Sequence, residues 1–501
     1  MHNHKSAHPN GPLYAEATKQ IQNEIDNGNY IKTDKKPCIV SPIGVIPKPD
    51  GGVRLIHDCS RPLGQAVNDY VSGFDKQSFQ TLDSAKALMT QECFMAKIDL
   101  KAAYRSVNIS KHSQSVTGLK WKLDGSIQYL YDSKIPFGSR LGPGIFNRLT
   151  QAVRRMAERR GFSIVAYIDD FFQCEKTHER CQEAMNFLVN LLRKLGFQIS
   201  WSKMAGPSQT LTFLGVELDS VHMEMRLPQE KLVALRAELE QFARRKRVSK
   251  RQLQSLAGKL SWAATAVIGG RVFLRRIIDA FCTLRNGDHK MYMRGDILSD
   301  VNWWRVGLSA FNGVAMLLDD DSPPAVIYTD ACNEGGGGHW GDDWFYCNWD
   351  IDLPHVSSLH INQKEILSVL IGAQRWGHLW CNQRVFAYSD NSVTVACVNK
   401  GSSRNPFIME YIRKLFWLSV KYNFRLSCRH IPGEYNVRAD TISRLTEGNN
   451  LFEAWAYNVP YLVHASWYVG HLSSAVLSYF FSRSLYSNGA VPGPSCARVS
   501  G

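Results

Sequence analysis

The sequence predicts an α+β fold in several domains, and three observations carry that expectation. Two short apolar strands, SIVAYI and FFQC, flank the adjacent aspartates Asp169 and Asp170, and another, CFMAKIDL, ends near Asp99 about 70 positions earlier. From Pro228 the pattern is helical for about fifty residues. After the acidic, proline-broken stretch Asp319-Asp320-Asp321-Ser322-Pro323-Pro324, strands and helices alternate for about 120 residues, enough for one compact α/β domain.

The elements follow in order. The first 36 residues are polar, with a short helical pattern from about Leu13 to Ile25. CIVSPIGVIPKPDGGVRLIHDCS reads as two strands around a turn at Lys48-Pro49-Asp50-Gly51-Gly52. That hairpin presents Lys48 and Arg54 together, either as a grip on a triphosphate or as a basic surface. In IPFGSRLGPGIFNRLTQAVRRMAERRG, the residues Ile145, Leu149, Val153 and Met156 are expected to form the apolar face of a helix. A further helix, about Thr177 to Leu195, stops at Gly196, and short strands follow in QISWSK and TLTFLGVEL.

The first helix after Pro228 has proline near its start, and the second opens with a capping box at Ser249-Lys250-Arg251-Gln252. Around their junction lie Arg244, Arg245, Lys246, Arg247, Lys250 and Arg251. They suit a nucleic-acid backbone, although a nuclear-import signal or a solvated face has the same composition. The last domain reads strand (AVIYTDAC), a flexible hairpin tip at Gly335 to Gly338, strand (WFYCNW), helix (QKEILSVLIGAQRWG) and strand (RVFAYSD). Two helical stretches, a strand (FRLSCRHIPG) and a short helix (NVRADTISR) complete it.

A chain that is 44% hydrophobic and 21% charged is globular rather than disordered. Its net charge of +14 suits a polyanionic partner, nucleic acid before an anionic membrane. Twelve cysteines without C-x-x-C or Cys/His spacing argue against structural zinc and for reduced thiols, hence cytoplasm or nucleus. The opening MHNHKSAHPNG lacks the apolar core of a signal peptide. The apolar stretch Trp455 to Phe481 is broken by Asn458, His464 and His471, so no membrane span is expected there.

Adjacent ionised aspartates repel unless a cation sits on them, and hard oxygen ligands favour Mg²⁺. Asp99, Asp169 and Asp170 on neighbouring strand ends can hold two such ions, an arrangement suited to phosphoryl transfer.

The ordered set KIDLKAAY, PFGSRLGPGIFNRL, AYIDDFF, GFQISWSK and FLGVEL resembles the polymerase motifs of reverse transcriptases from long-terminal-repeat-like retroelements. With HINQKEIL and HIPGEYNVRAD, the similarity spans about residues 37 to 445 and is closest to DIRS-type (tyrosine-recombinase) retrotransposons. The resemblance implies a right-hand polymerase followed by a ribonuclease H-like α/β domain. The implied boundaries are an N-terminal extension (1–36), fingers and palm (37–225), thumb and connection (226–321), the ribonuclease H-like domain (322–446) and an unassigned tail (447–501).

The implied activity is RNA-directed DNA synthesis with degradation of the RNA strand of the hybrid. Asp99, Asp169 and Asp170 would be the catalytic, metal-binding aspartates, with Asp170 the more supportive of the three. Tyr104 would lie under the sugar and select deoxynucleotides, Lys48 and Arg54 would contact the triphosphate, and Phe137 and Gly138 would pack on nucleotide and template base. Lys203 would protonate the leaving pyrophosphate. In the second domain Asp330, Glu365, Asp390 and Asp440 have the order of ribonuclease H acids, while His430 is read as structural. Each active site would take two Mg²⁺, with Mn²⁺ as a substitute. RNA template, DNA primer, RNA–DNA hybrid and deoxynucleoside triphosphates would be the partners. An inert nucleic-acid-binding remnant of a retroelement is the alternative, and retention of all seven acids argues against it.

Overall fold

Near-continuous apolar runs at 94–99 and 164–175 build antiparallel strands buried on both faces, and helices and a further hairpin supply the surfaces that cover them. The computed structural model describes residues 2–48, 51–71, 78–315 and 323–445. The hairpin tip Pro49-Asp50, the linker residues Asp319 to Ser322 and everything from residue 446 on, including Trp455 to Phe481, lie outside the described residues. The chain divides into two units: residues 1–228 with 314–318, and residues 229–313 with 319–501.

The centre of the first unit is a four-stranded antiparallel sheet in the order Ile164–Tyr167, Asp170–Glu175, Phe94–Asp99, Ala205–Ser208. Helices Gly142–Glu158 and His178–Lys194 cover one face, burying Ile98, Phe146, Val153, Phe171, Leu188 and Leu192 in one core. On the other face Phe172 packs against Phe213 of the Thr210–Phe213 and Val216–Asp219 hairpin. Thr177 caps the second helix by accepting the Arg180 N–H at 3.2 Å, and Gly196 at φ +82° follows its end.

Two local expectations are corrected. The buried stripe of helix Gly142–Glu158 is Phe146, Thr150, Val153 and Ala157, whereas Leu149 and Met156 are exposed. The small residues let this helix lie close to the sheet, so hydrophobicity alone misplaced its inner face. QISWSK does not form a strand of its own: Ile199 bridges to Leu100, and Trp201–Lys203 is a 3-10 turn.

A second layer of the first unit joins the hairpin Ile43–Pro47 and Val53–His57 to a three-stranded sheet of Tyr30–Thr33, Ser126–Asp132 and Gly118–Leu123. Helix Tyr14–Asp26 buries Ala17 and Ile21 in the core of this layer, together with Val45, Leu55, Trp121 and Leu130.

In the second unit, residues 229–313 form helices Gln229–Arg244, Lys250–Ala263, Arg275–Cys282 and Asp296–Ala310, with a ribbon pairing Arg247–Ser249 to Lys290–Tyr292. The Ser249–Gln252 capping box forms as the sequence predicts. A five-stranded sheet follows in the order Asp343–Asn348, Gly335–Trp340, Ala325–Ala331, Arg384–Ser389, Arg425–His430. Its first three strands are antiparallel, and the last two run parallel to the central one.

The Gly335–Gly338 run is no hairpin tip. It is the body of a strand, and helix Val437–Ser443 lies directly on it. A Cβ on Gly337 would stand 2.4 Å from Ile442 Cγ2, and one on Gly336 would stand 2.3 Å from the Trp349 ring. Glycine recurs because backbone and helix touch there, not because the segment must bend.

Candidate active sites

In the first unit, Asp99 ends its strand directly opposite Asp170, the first residue of the returning strand. Tyr167 and Asp170 pair across a two-residue turn, Ile168-Asp169. Ile168 takes φ +52°, the positive value that primed hairpin turns need, although a β-branched side chain resists it. Such strain, about 1–3 kcal/mol, persists only where the surroundings over-determine it. Here the Leu100 N–H donates to the Asp169 carbonyl at 3.0 Å and locks the turn to the Asp99 strand. Three carboxylates therefore project from two adjoining strand ends.

Like charges at this density perturb one another. Burial, reinforced by Asp169 and Asp99, pushes the Asp170 carboxyl up to about 6. Burial and Asp99 also raise Asp169. Lys203 supplies the positive charge within reach: its Nζ donates to both Asp99 oxygens at 3.1 Å. The backbone explains its position, since the Ser200 N–H donates to the Asp99 carbonyl at 2.8 Å and anchors the turn that carries Lys203.

Tyr104 stands on a 3-10 turn, Ala103–Ser106, entered through Ala102 at φ +52°. Its ring meets Phe137 edge-on at 5.3 Å and Phe146 at 5.6 Å. Burial, with the Asp169 charge adding to it, raises the Tyr104 phenol. Phe137 is 45% exposed, which leaves a face for a ligand. Gly138 has a different reason to be glycine: a Cβ there would sit 1.7 Å from the His57 carbonyl oxygen, so it packs on the hairpin strand. Lys48 and Arg54 are exposed on that hairpin, with Arg54 opposite Ile46.

The second unit holds a tighter cluster. Carboxylate oxygens of Asp330, Glu365 and Asp390 lie within 4.8 Å of one another, the one such group among the described residues. Asp330 comes from the central strand, Glu365 from helix Ile361–Trp376, and Asp390 follows the strand Arg384–Ser389. Burial, then the Asp330 and Asp390 charges, pushes Glu365 up to about 9, and burial with Asp390 and Asp440 pushes Asp330 up to about 6. Carboxylates crowded this closely oppose one another's ionisation unless a cation answers them, and the donor set is all hard oxygen, which fits Mg²⁺ or Mn²⁺.

Asp440 stands apart from this trio. Its Oδ1 accepts from Arg444 Nε at 2.8 Å, and the pair is largely exposed. His430 is exposed at the end of its strand, where it pairs with Ser389 in the sheet. Two hydroxyls hold the trio that the sequence reading missed: Ser443 Oγ donates to Asp330 at 2.7 Å and Ser389 Oγ to Glu365 at 3.3 Å. Ser443 lies three residues after Asp440, so helical spacing was the signal that could have found it.

The basic cluster is only partly available. Arg244, Lys246 and Arg251 are exposed. Lys250 Nζ is committed to the Leu284 carbonyl at 2.6 Å, and Arg247 stacks on the Tyr292 ring at 4.3 Å while bonding its hydroxyl. Among the described residues no helix is long and apolar enough to cross a membrane.

Comparison with known proteins agrees with this geometry. Residues 46–218 match the family model for reverse transcriptase (RNA-dependent DNA polymerase). Polyprotein P3 of Commelina yellow mottle virus is 22% identical over 392 residues, 74% of this chain and 19% of the polyprotein. The Gag-Pol polyprotein of Gibbon ape leukemia virus is 27% identical over 124 residues, 24% of this chain and 7% of that protein. The chain thus spans less than a fifth of either relative. The foamy viral protease-reverse transcriptase solved with dsDNA superposes with a TM-score of 0.55 at 18% identity, over 86% of this chain and 85% of that one. The same protein solved with an RNA/DNA hybrid gives 0.55 over 92% of this chain and 56% of that one. Residues 46–218 are therefore similar to reverse transcriptases, the fold is mixed α and β, and retroviral and pararetroviral polyproteins are among the chain's relatives.

Proposed function

We propose that this chain is an RNA-directed DNA polymerase with ribonuclease H activity, acting on an RNA template, a DNA primer and deoxynucleoside triphosphates. One observation carries the reading: Asp99 and Asp170 lie in register beside Asp169 on a strained turn, inside the segment that matches the reverse transcriptase model. Asp99, Asp169 and Asp170 would hold divalent cations in the first unit; Asp330, Glu365 and Asp390 would do so in the second, with Asp440 at the margin. Divalent cations held there would supply activation of the attacking hydroxyl or water and neutralisation of phosphate charge.

The chain's own groups do the rest. Lys203, held on Asp99, is placed to give a proton to a departing pyrophosphate. The half-exposed Phe137 and the Tyr104 ring form a wall for base and sugar. Ser443 and Ser389 orient the second trio, and exposed Arg244, Lys246 and Arg251 suit a phosphate backbone. The DIRS-type assignment rests on the combination SPIGVIPKPDGGVRLIHDCS, YIDDFF, HINQKEIL and HIPGEYNVRAD and is proposed on those strings alone.

Extension of a DNA primer on an RNA template with Mg²⁺ tests the polymerase, comparing the wild type with the Asp169→Asn, Asp170→Asn double variant. We expect extension by the wild type and loss by at least about a thousandfold in the variant. A folded wild type that binds the hybrid but never extends the primer would point to the inert remnant instead.

A further inference from the structure

Asp132 ends the strand Ser126–Asp132 with no exposed surface, so its charge must be answered from within the protein. Arg105 answers it, donating from Nη1 to both carboxylate oxygens at 2.7 and 2.6 Å. The same guanidinium donates from Nη2 to the Tyr30 hydroxyl at 3.2 Å, and its Nε lies 3.2 Å from Glu24 Oε2. Its carbon stands 5.1 Å from the Tyr30 ring and 5.8 Å from the Phe137 ring. The Lys134 N–H also donates to Asp132, at 3.0 Å. His57, fully enclosed, brings Nδ1 to 4.0 Å from the same carboxylate. Burial and the Arg105 charge hold that imidazole down at about 4, so it is neutral.

This cluster gathers parts of the chain that sequence order keeps far apart. Arg105 follows Tyr104 directly, on the same 3-10 turn. Asp132 precedes by five residues the Phe137 whose ring meets Tyr104. His57 ends the hairpin strand that carries Arg54, and its carbonyl is the surface on which Gly138 packs. The turn, the segment and the hairpin thus meet at one buried ion pair. A stability role alone does not require that meeting point, since a buried ion pair is often no more stabilising than apolar residues of the same volume.

We infer that Arg105, gripping Asp132, is a positioning residue for the nucleotide site: it sets the Tyr104 ring against Phe137 and so determines how closely the sugar of an incoming nucleoside triphosphate is gauged. The inference rests on the polymerase reading above. Arginine is required because its planar fork reaches Asp132, Glu24 and Tyr30 at once, which a lysine ammonium cannot do.

The test is steady-state incorporation by the full chain on a primed RNA template, with deoxy- and ribonucleoside triphosphates, for wild type, Arg105→Lys and Glu24→Gln. Thermal unfolding of each variant is measured alongside. Loosening the wall acts on substrate fit more than on the carboxylates, so Arg105→Lys should raise the deoxynucleotide KM about tenfold. It should also lower the preference for deoxy- over ribonucleotides about tenfold, with kcat within about threefold. Glu24→Gln removes one charge at the edge of the cluster and should move both quantities the same way by about threefold; it carries the test if Arg105→Lys fails to fold. Parental KM and sugar preference in a folded variant, with or without a lower kcat or melting temperature, would overturn the inference and leave the polymerase reading intact. A wild type that extends no primer would overturn both.

Discussion

Replacing Gly337 by alanine isolates what the glycine run does. Gly337 pairs with Asp330 across the strands, and its missing side chain faces Ile442 on the helix that also carries Ser443. An added Cβ would stand 2.4 Å from Ile442 Cγ2 and 3.0 Å from the Ile442 backbone carbon, against 3.4 Å or more for ordinary contact. The helix must therefore withdraw by about 1 Å, because Ile442 is fully buried and its backbone cannot swing aside. Overpacking of this kind costs about 2–3 kcal/mol, or about 5–10 °C in the melting temperature of a unit this size. The functional loss should be larger. Ser443 Oγ holds Asp330 at 2.7 Å, and a misplacement of about 1 Å at a reacting centre costs about a hundredfold in rate. The assay pairs thermal unfolding with cleavage of a labelled RNA–DNA hybrid, using primer extension as an internal reference that should change little. Gly258→Ala is the control: it lies mid-helix in the same unit with open space around a Cβ, and should stabilise by about 0.5–1 kcal/mol. A Gly337→Ala protein that melts and cleaves like the wild type would refute the contact between helix and strand.

Two further outcomes follow from buried charge. Arg413 Nη2 donates at 3.0 Å to Asp300, which is 1% exposed, and Arg276 reaches the same carboxylate only at 3.4 Å. Arg413→Met should cost about 3–5 kcal/mol by denaturant unfolding at pH 7, and less at pH 5, where a carboxyl pushed up to about 6 by burial takes a proton. An equal loss at both pH values would count against that ion pair. In EDTA, the folded second unit holds protons on Glu365 and Asp330, raised to about 9 and 6 from 4.5 and 3.8. Raised carboxyl values stabilise fully below about pH 4, and that stabilisation fades as pH rises through 6 toward 9. Metal-free protein should therefore melt lower at pH 8.5 than at pH 6, and added Mg²⁺ should raise the melting temperature more at pH 8.5, where fewer protons must leave. A Mg²⁺ shift that is equal at both, or larger at pH 6, would sink this account.

Much of both sites was readable in advance, for a local reason. Asp99 ends an apolar strand, Asp170 begins one and Asp169 lies in the turn before it, so apolar runs broken by acids leave all three at the strand ends. The same logic reached Asp330 and Asp390, which stand at or just past the ends of their strands, while Glu365 comes from within helix Ile361–Trp376. Cap chemistry at Thr177, Gly196 and Ser249 was equally local. The inner face of helix Gly142–Glu158 was misread because alanine and threonine, not the larger apolar residues, face the sheet where approach is closest.

What the sequence by itself determined is therefore the set of elements, their order and the acids at their ends, since those depend on contacts a few residues apart. Tertiary structure alone decided which charges answer one another. Nothing near Arg105 in the chain marks Asp132 and Glu24 as its partners, nor do local residues show that Gly335–Gly338 is a strand under a helix. Helical spacing sets Ser443 beside Asp440, but only the folded chain shows that Asp440 pairs with Arg444 while Ser443 bonds Asp330. These pairings link positions up to 113 residues apart, and burial, which makes an unanswered charge so costly, exists only once the chain has folded.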